Sequence, residues 1–454
     1  MTKDMTKGPI FSTLVKFMIP LIMGNLLQLT YNAADSMIVG RYIGQEALAA
    51  VGTSNPLMTL VILFTNGICL GAGILVGYEY GAKRLENLQK QVSTGMLAGI
   101  AFSLAMAFVI WLLAVRIMVL LQVDGKILSA AAGYLRIIMA GLVFSFIYNY
   151  LASMLRAMGD SRSPLIFLGI SAVLNILGDL LLVVAAGLGI LGAALSTVIC
   201  EALSALLCWI YIYRKVPELR LGRRWLYFDR RLLKITISYG IVSALQQSTV
   251  QMGKLAVQAF VNTLGVSATA AFNATNRIDD YAMIPEQNMA HAMSSVMAQN
   301  AGAHQQKRMR KAFYYGMYLE MGFGILVGVV LYFCALPVMQ LFTREEAVIT
   351  EGVKYIHLIA FMYPLPALTN GIQGYFRGVG DLKVTLFSSM LNMGARVLCC
   401  YILLFQFGMR FEAIPWSYLA GWIAMLVFEV PYLGFRFFTG KDKKEEERLG
   451  DSRE

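Results

Sequence analysis

The sequence predicts an all-α polytopic membrane protein whose twelve transmembrane helices form two pseudo-symmetric six-helix lobes. Three observations carry that reading. The 454 residues are 58% hydrophobic and 14% charged, with a mean hydropathy of +0.63. Soluble chains run at about 45–50% apolar and about 25% charged, so a globule of this composition has too few charges to cover its surface. Stretches such as 102–115, 165–191 and 323–336 are nearly charge-free, and about 20 apolar residues cross a hydrocarbon core of about 30 Å. Finally, the chain matches itself without gaps at an offset of 221. Gly44 falls on Gly265, Ala47 on Ala268, Gly81-Ala82 on Gly302-Ala303, Met118 on Met339, Tyr134 on Tyr355, and Arg156-Ala-Met-Gly-Asp160 on Arg377-Gly-Val-Gly-Asp381. Six spans is an even number, so both halves start on the same side and form a parallel repeat about the membrane normal, as in many secondary transporters.

Taken in order, the apolar runs divide at Gly, Pro and charged clusters into spans starting near residues 13, 48, 92, 130, 163, 189, 234, 270, 312, 351, 382 and 414. The first continues from near Ile10 past Val39 without a small-residue cleavage pattern, and so reads as a permanent span and not a leader. With every second loop and both termini placed on one side, that side holds 28 of the 38 Lys and Arg. The positive-inside rule then puts both termini in the cytoplasm of a cell-membrane protein. The net charge of +11 is mostly this topology signal. No soluble basic domain exists to bind nucleic acid. The expected organisation is an N-terminal lobe over 1–212, a cytoplasmic basic linker over 213–233, a C-terminal lobe over 234–438 and a charged tail over 439–454. All six cysteines fall in spans without CxxC spacing, and read as buried free thiols. No GxxxxGK[ST] sequence supplies nucleotide energy, which points to an ion gradient.

Polar residues inside spans are expensive and are functional candidates by default. On the first span, Asn25, Gln28, Asn32 and Asp35 share one helical face. On the fifth, Asn175 and Asp179 stack at i, i+4, and the sixth carries Thr197 beyond the short Gly187-Leu-Gly-Ile-Leu-Gly192 turn. At 1.5 Å per residue, Asp179 and Thr197 lie about 10–12 Å below the outer surface and Asp35 about 6–10 Å, so the four groups share one level. Two carboxylates, an amide oxygen and a hydroxyl suit a hard cation such as Na⁺, and the two acids could instead share a proton. Glu201, one turn beyond Thr197, is a second proton carrier, a substrate counter-charge or a neutral buried acid. In the second half, span seven carries Gln247, Gln251, Lys254, Gln258 and Asn262. Arg396 on span eleven stands opposite Asn175 in the repeat, a cation where the first half has a proposed cation ligand. Asp279, Asp280 and Glu286 on span eight are the possible partners of Lys254 and Arg396. Pro20, mid-span, removes the hydrogen bond to the Lys16 carbonyl and marks a kink that can serve as a gate.

These residues resemble the MATE (multidrug and toxic compound extrusion) family. The likeness rests on Pro20-Leu-Ile-Met-Gly24, Tyr31-Asn-Ala-Ala-Asp35-Ser-Met-Ile-Val-Gly40, Ala47-Leu-Ala-Ala-Val-Gly52, Arg156-Ala-Met-Gly-Asp160 and the run from Asn175 through Asp179 to Thr197, in that order along the whole chain. The resemblance implies a twelve-helix, two-lobed antiporter that exports cationic and aromatic compounds against inward Na⁺ or H⁺. It also implies that Asp35, Asn175, Asp179 and Thr197 form the N-lobe cation site and that Pro20 is the bend of the first helix. Two departures stand out. The stretches around Val250 and Pro366, comparable to acidic positions of a C-lobe ion site in some branches, are not acidic. Glu201 replaces an expected Gln, and Glu286 and His291 are unusual on span eight.

The rival reading within transport is a flippase or exporter of lipid-linked or other amphiphilic metabolites, for which only Lys254, Arg277 and Arg396 could line a basic cavity. A membrane enzyme would need a metal-binding acidic motif, and Asp279-Asp280 is not followed by DDxxD. The expected partners are a small, organic, cationic substrate and membrane lipid, with no nucleic acid, no cofactor beyond the coupling ion, and a monomeric state.

Overall fold

The computed structural model describes residues 3–222 and 226–439, all helix and connecting turns with no strand among them. The helices are α1 (Ile10–Tyr42), α2 (Gln45–Gly81), α3 (Leu85–Leu120), α4 (Gly125–Ala157), α5 (Arg162–Asp179), α6 (Gly189–Lys215), α7 (Arg230–Asn262), α8 (Val266–Gly302), α9 (Gln306–Phe342), α10 (Glu346–Ala360), α11 (Pro364–Gly378), α12 (Leu382–Tyr401) and α13 (Ala413–Thr439). Helices start up to seven residues before the apolar runs do: α3 begins at Leu85 and not near 92, because its first two turns are charged and polar. The tenth span is two 15-residue helices, α10 and α11, broken at Phe361–Tyr363. Pro364 has no N–H for the Ala360 carbonyl. On α9, Gly324 and Gly328 accept this break, since a side chain at Gly328 would collide with the Ala360 carbonyl and one at Gly324 would meet the Tyr363 carbonyl at 2.9 Å. With α10–α11 counted as one, there are twelve spans.

Among the described residues, nine helices are long and apolar enough to cross a membrane on composition alone. The three spans outside that set, α7, α8 and α10–α11, are those richest in polar residues or interrupted by the turn. All lie in the second half of the chain, which is where extra interior polar groups are found below.

Two compact units emerge: one of Met1–Met5 and Ile19–Ile241, the other of Thr6–Met18 and Val242–Glu454. The division therefore falls inside α1 and α7. In the first unit α4 is the centre, packed on α2, α3 and α6. Gly95 and Gly99 of α3 leave room for the Tyr150 and Phe146 rings of α4, and the Tyr150 hydroxyl donates to the Val92 carbonyl at 3.1 Å. In the second unit α8, α9 and α11 pack on one another, and α12 packs on α13.

The repeat seen in the sequence extends to the backbone. Positive φ recurs at Gly44 and Gly265, Lys83 and His304, Gly159 and Gly380, and Gly187 and Gly408, each pair 221 apart. Both α5 and α12 loosen into π-helical segments, Leu180–Ala185 and Ile402–Gln406. Equivalent hydrogen bonds follow: Tyr211 donates to Asp160 at 2.9 Å and Tyr432 to Asp381 at 3.1 Å.

Parts of the linker and the tail, residues 223–225 and 440–454, lie outside the described residues. The rest of the linker is not a solvated tether. Leu219 and Leu221 are buried in the core of the first unit. The Gln89 amide donates to the Glu218 carbonyl at 3.0 Å, the Ser93 hydroxyl donates to the Tyr227 carbonyl at 2.7 Å, and the Asp229 N–H donates to the Thr94 hydroxyl at 3.1 Å. The first turns of α3 hold the segment in place. Two cations near helix ends are also interior: Arg377 on α11 and Arg436 on α13 are both buried.

The α4–α5 loop is fixed by Asp160. Burial pushes this carboxyl up, but the Ser163 N–H at 3.0 Å and the hydroxyls of Ser163 at 2.7 Å and Tyr211 at 2.9 Å outweigh it and hold the group below its ordinary value. A depressed folded-state value means that the stabilisation is present above the unfolded value of about 3.9 and is lost as pH falls through the folded one. Asp160→Asn is expected to cost about 1–3 kcal/mol at neutral pH. Thermal unfolding in detergent should show the gap between variant and parent closing as the sample is acidified below that range.

Candidate functional site

In the first unit, α1, α5 and α6 bring Asp35, Asn175, Asp179, Ser196 and Thr197 to one place. The local sequence explains the geometry. Asn175 and Asp179 are one turn apart, so both project from the same face of α5. The helix then widens into its π-helical segment, and Gly187 and Gly189, with φ of +66° and +57°, reverse the chain. α6 starts at Gly189 and returns Ser196 and Thr197 to the level of Asn175. Two small residues permit the close approach. A side chain at Gly192 would meet the Leu182 carbonyl at 2.9 Å, and one at Gly178 would meet the Ser196 hydroxyl.

The hydrogen bonds leave acceptors over. Asn175 Nδ2 donates to Ser196 Oγ at 3.3 Å and to Thr197 Oγ1 at 3.5 Å, while Ser196 Oγ donates to the Asn175 carbonyl at 3.0 Å and Thr197 Oγ1 to the Ala193 carbonyl at 3.1 Å. The amide is thereby oriented with its nitrogen toward α6 and its Oδ1 free. Asp179 is fully buried and Asn175 nearly so, whereas Asp35 is half-buried. The carboxyl groups of Asp35 and Asp179 are within hydrogen-bonding reach of each other. Four buried acceptor oxygens have no donor: Asp35 Oδ1, both oxygens of Asp179, and Asn175 Oδ1.

Buried acceptors are ordinarily satisfied, and two facing carboxylates cannot both stay charged without a counter-charge. A proton shared between Asp35 and Asp179 meets that need, as does a hard cation taking the four oxygens. The chemistry supports reversible exchange of a small monovalent cation.

The remaining candidates divide. Glu201 accepts from the Ser145 hydroxyl of α4 at 2.7 Å and is not one of the unpartnered acids. Gln28 and Asn32 are exposed, and Gln28 bonds Tyr31. Pro20 is buried inside an unbroken α1, two residues past the point where that helix passes from one unit to the other.

In the second unit, Lys254 pairs with Asp280 at 3.0 Å, both largely exposed; such pairs contribute about 0–1 kcal/mol. Gln251 is exposed, and Gln258 bonds Asn262 at 2.8 Å. Arg396 does not take any of its three expected acidic partners. Its guanidinium lies 3.7 Å from the centre of the Tyr418 ring and 5.7 Å from that of Trp422, cation–π contacts supplied by α13. Asp279 is bonded by the hydroxyls of Tyr355, at 3.1 Å, and Tyr363. Glu286 is fully buried and receives one bond, from Asn370 at 3.4 Å.

Sequence reasoning missed Ser196, Tyr31 and Tyr134. The two tyrosines lie within electrostatic range of Asp35 and Glu201, and Tyr134 of Asp179 as well. For Tyr134 the sequence held only its match to Tyr355 across the repeat, and the structure shows that Tyr355 also serves an aspartate, Asp279.

The MatE family model matches residues 20–181 and 243–402, one stretch in each unit. The probable multidrug resistance protein YoeA of Bacillus subtilis (strain 168) is 29% identical over 412 residues, covering 88% of this chain and 89% of that protein. The probable multidrug resistance protein NorM of Thermotoga maritima is 22% identical over 445 residues, covering 95% and 93%. Of solved structures, MATE in the bent conformation superposes with a TM-score of 0.91 at 20% identity, over 98% of this chain and 100% of that one. An outward-facing multidrug resistance MATE family transporter of the MOP superfamily superposes at 0.89 with 19% identity, over 99% and 100%.

Proposed function

The chain belongs to the MatE family of membrane transporters, and from that premise we propose that it is an antiporter that exports cationic and aromatic organic compounds by alternating access, driven by Na⁺ or H⁺ bound at Asp35 and Asp179. The observation that carries the reading is the set of four unpartnered buried oxygens on Asp35, Asn175 and Asp179. A monovalent cation entering there supplies the counter-charge that relieves the repulsion between two facing carboxyls and ties α1 to α5. It therefore stabilises one arrangement of α1 over another. Coupling needs only that the substrate prefers the other arrangement, because each ligand can shift the equilibrium only by its differential affinity. Pro20 gives α1 a place to change angle, since the Lys16 carbonyl has no helical donor there. The name that YoeA and NorM share, multidrug resistance protein, agrees with a small organic substrate for this chain as well. In this reading the protein works as a monomer in the cell membrane, with both termini cytoplasmic and no cofactor beyond the coupling ion.

Purified protein in liposomes, given a Na⁺ gradient and a pH gradient separately, is the deciding preparation. One of the two imposed gradients is expected to drive movement of a fluorescent organic cation against it. Equal, gradient-independent leakage of the dye under both would overturn the antiporter reading.

A further inference from the structure

The second unit contains a buried acidic cluster remote in sequence from the first. Glu286 of α8 and Glu320 of α9 are both fully buried. Their helices and α11 pack on one another, and α11 joins the two acids. Asn370 donates its amide to Glu286 Oε2, while Glu320 Cγ lies 3.6 Å from where a side chain on the next residue, Gly371, would begin. Three carboxyl oxygens there have no donor: Glu286 Oε1 and both oxygens of Glu320. The nearby cation is Arg377 of α11, itself buried, with an Nε that has no acceptor. Its Nη2 donates to Gln373 Oε1 at 3.1 Å and its Nη1 lies 3.4 Å from His291 Nδ1.

Charge balance sets the requirement. Glu286 of α8 and Arg377 of α11 lie near Glu320, Tyr363 at the α10–α11 turn lies near Glu286, and His291 of α8 and Glu429 of α13 lie near Arg377. Glu429 is within range of Arg377 and accepts from Ser388. One guanidinium thus faces Glu320 and Glu429, with Glu286 on the other side of Glu320. An ionised carboxylate in the interior with no hydrogen-bond donor costs several kcal/mol or more. Glu320 has no donor, and Glu286 has one long bond. A metal cation would sit beside the guanidinium and be repelled by it, whereas a proton neutralises one carboxyl of the pair without needing further ligands and leaves the guanidinium to balance the other.

We propose that Glu286 and Glu320 form a second proton-binding site, separate from the Asp35–Asp179 site, which binds and releases a proton carried on this carboxyl pair. It uses spans eight and nine, not spans seven and ten. Proton binding there does not depend on the antiporter reading, so it is measured at equilibrium and without substrate.

The experiment is infrared titration of the full-length Asp35→Asn/Asp179→Asn variant in lipid nanodiscs, following the C=O stretch of protonated carboxylic acids in H₂O and D₂O. A deuterium-sensitive component that fades as pH is raised is expected, and adding either Glu286→Gln or Glu320→Gln should remove it from the spectrum of the parent variant. Both substitutions keep the shape of the neutral acid, and thermal unfolding checks that each folds. If one does not, the other carries the same expectation, since loss of either partner breaks the pair. Titrating absorption that is the same with and without both substitutions overturns the proposal, whatever band Glu201, Asp279 or Glu429 contributes to both samples. Loss of the band on adding Na⁺ at constant pH overturns the assignment to a proton.

Discussion

Asp179→Asn is expected to abolish gradient-driven efflux, and Asp35→Asn to reduce it by more than about tenfold, which corresponds to losing upward of about 1.4 kcal/mol of coupling free energy. The ranking follows from how many acceptors each residue leaves for the cation. Asp179 has two unpartnered buried oxygens and Asp35 and Asn175 one each, whereas the Thr197 hydroxyl oxygen already accepts from the Asn175 amide at 3.5 Å and has one lone pair left to offer. Asn175→Ala should therefore weaken apparent cation affinity while leaving some efflux at high cation concentration. Thr197→Ala should change it least. Asparagine preserves the volume of aspartate and removes only the charge, so amounts of folded protein in the membrane should stay near those of the parent. Efflux of a fluorescent organic cation from inverted vesicles, normalised to folded protein, gives the ranking. Normal efflux by both Asp variants would end the assignment, and a Thr197→Ala defect as large as that of Asp179→Asn would show that coordination is not shared out in this way.

Much of this arrangement was legible because helices have a fixed rise and period. The i, i+4 spacing of Asn175 and Asp179 places both on one face, and counting residues on either side of the glycine turn puts Thr197 at their level. The structure brings the four residues together. Counting alone could not show that α5 ends in a π-helical segment, whose Leu182 carbonyl lies against Gly192 of α6. Nor does helical period reveal which helices meet. The seat of Arg396 on Tyr418 and Trp422 depends on α12 lying against α13 and was not deducible from span eleven, where three acids looked the more natural partners. Glu320 is a different kind of miss. It stands in the apolar stretch Tyr318-Leu-Glu-Met-Gly322, and a lone acid within a span is a functional candidate on cost alone. The Pro364 and Pro366 pair likewise announced the break in the tenth span. In both cases the signal was in the sequence, and the surrounding hydrophobicity obscured it.

Loss of Arg436 should be the most destabilising of the changes away from the proposed cation site, and the repeat explains why. In both units a tyrosine from the last helix donates to an aspartate at the head of the fifth helix of the set: Tyr211 to Asp160, and Tyr432 to Asp381. The first unit completes its aspartate with the N–H and hydroxyl of Ser163. The second instead uses Arg436, 98% buried, whose Nη1 is 3.1 Å from Asp381 Oδ2. Its counterpart by the repeat, Lys215, is exposed. An aspartate held by hydroxyl and amide donors tolerates loss of one of them, but one held by a buried guanidinium is left as an uncompensated charge when the cation goes. Arg436→Met is therefore expected to cost about 3–5 kcal/mol, read as a lowered Tm in detergent. Asp381→Asn in the same protein removes the stranded charge, so the double variant should be more stable than Arg436→Met alone. Strictly additive losses would show that the two side chains act independently, and that the second unit does not rely on this pair to fix α13 against the α11–α12 loop.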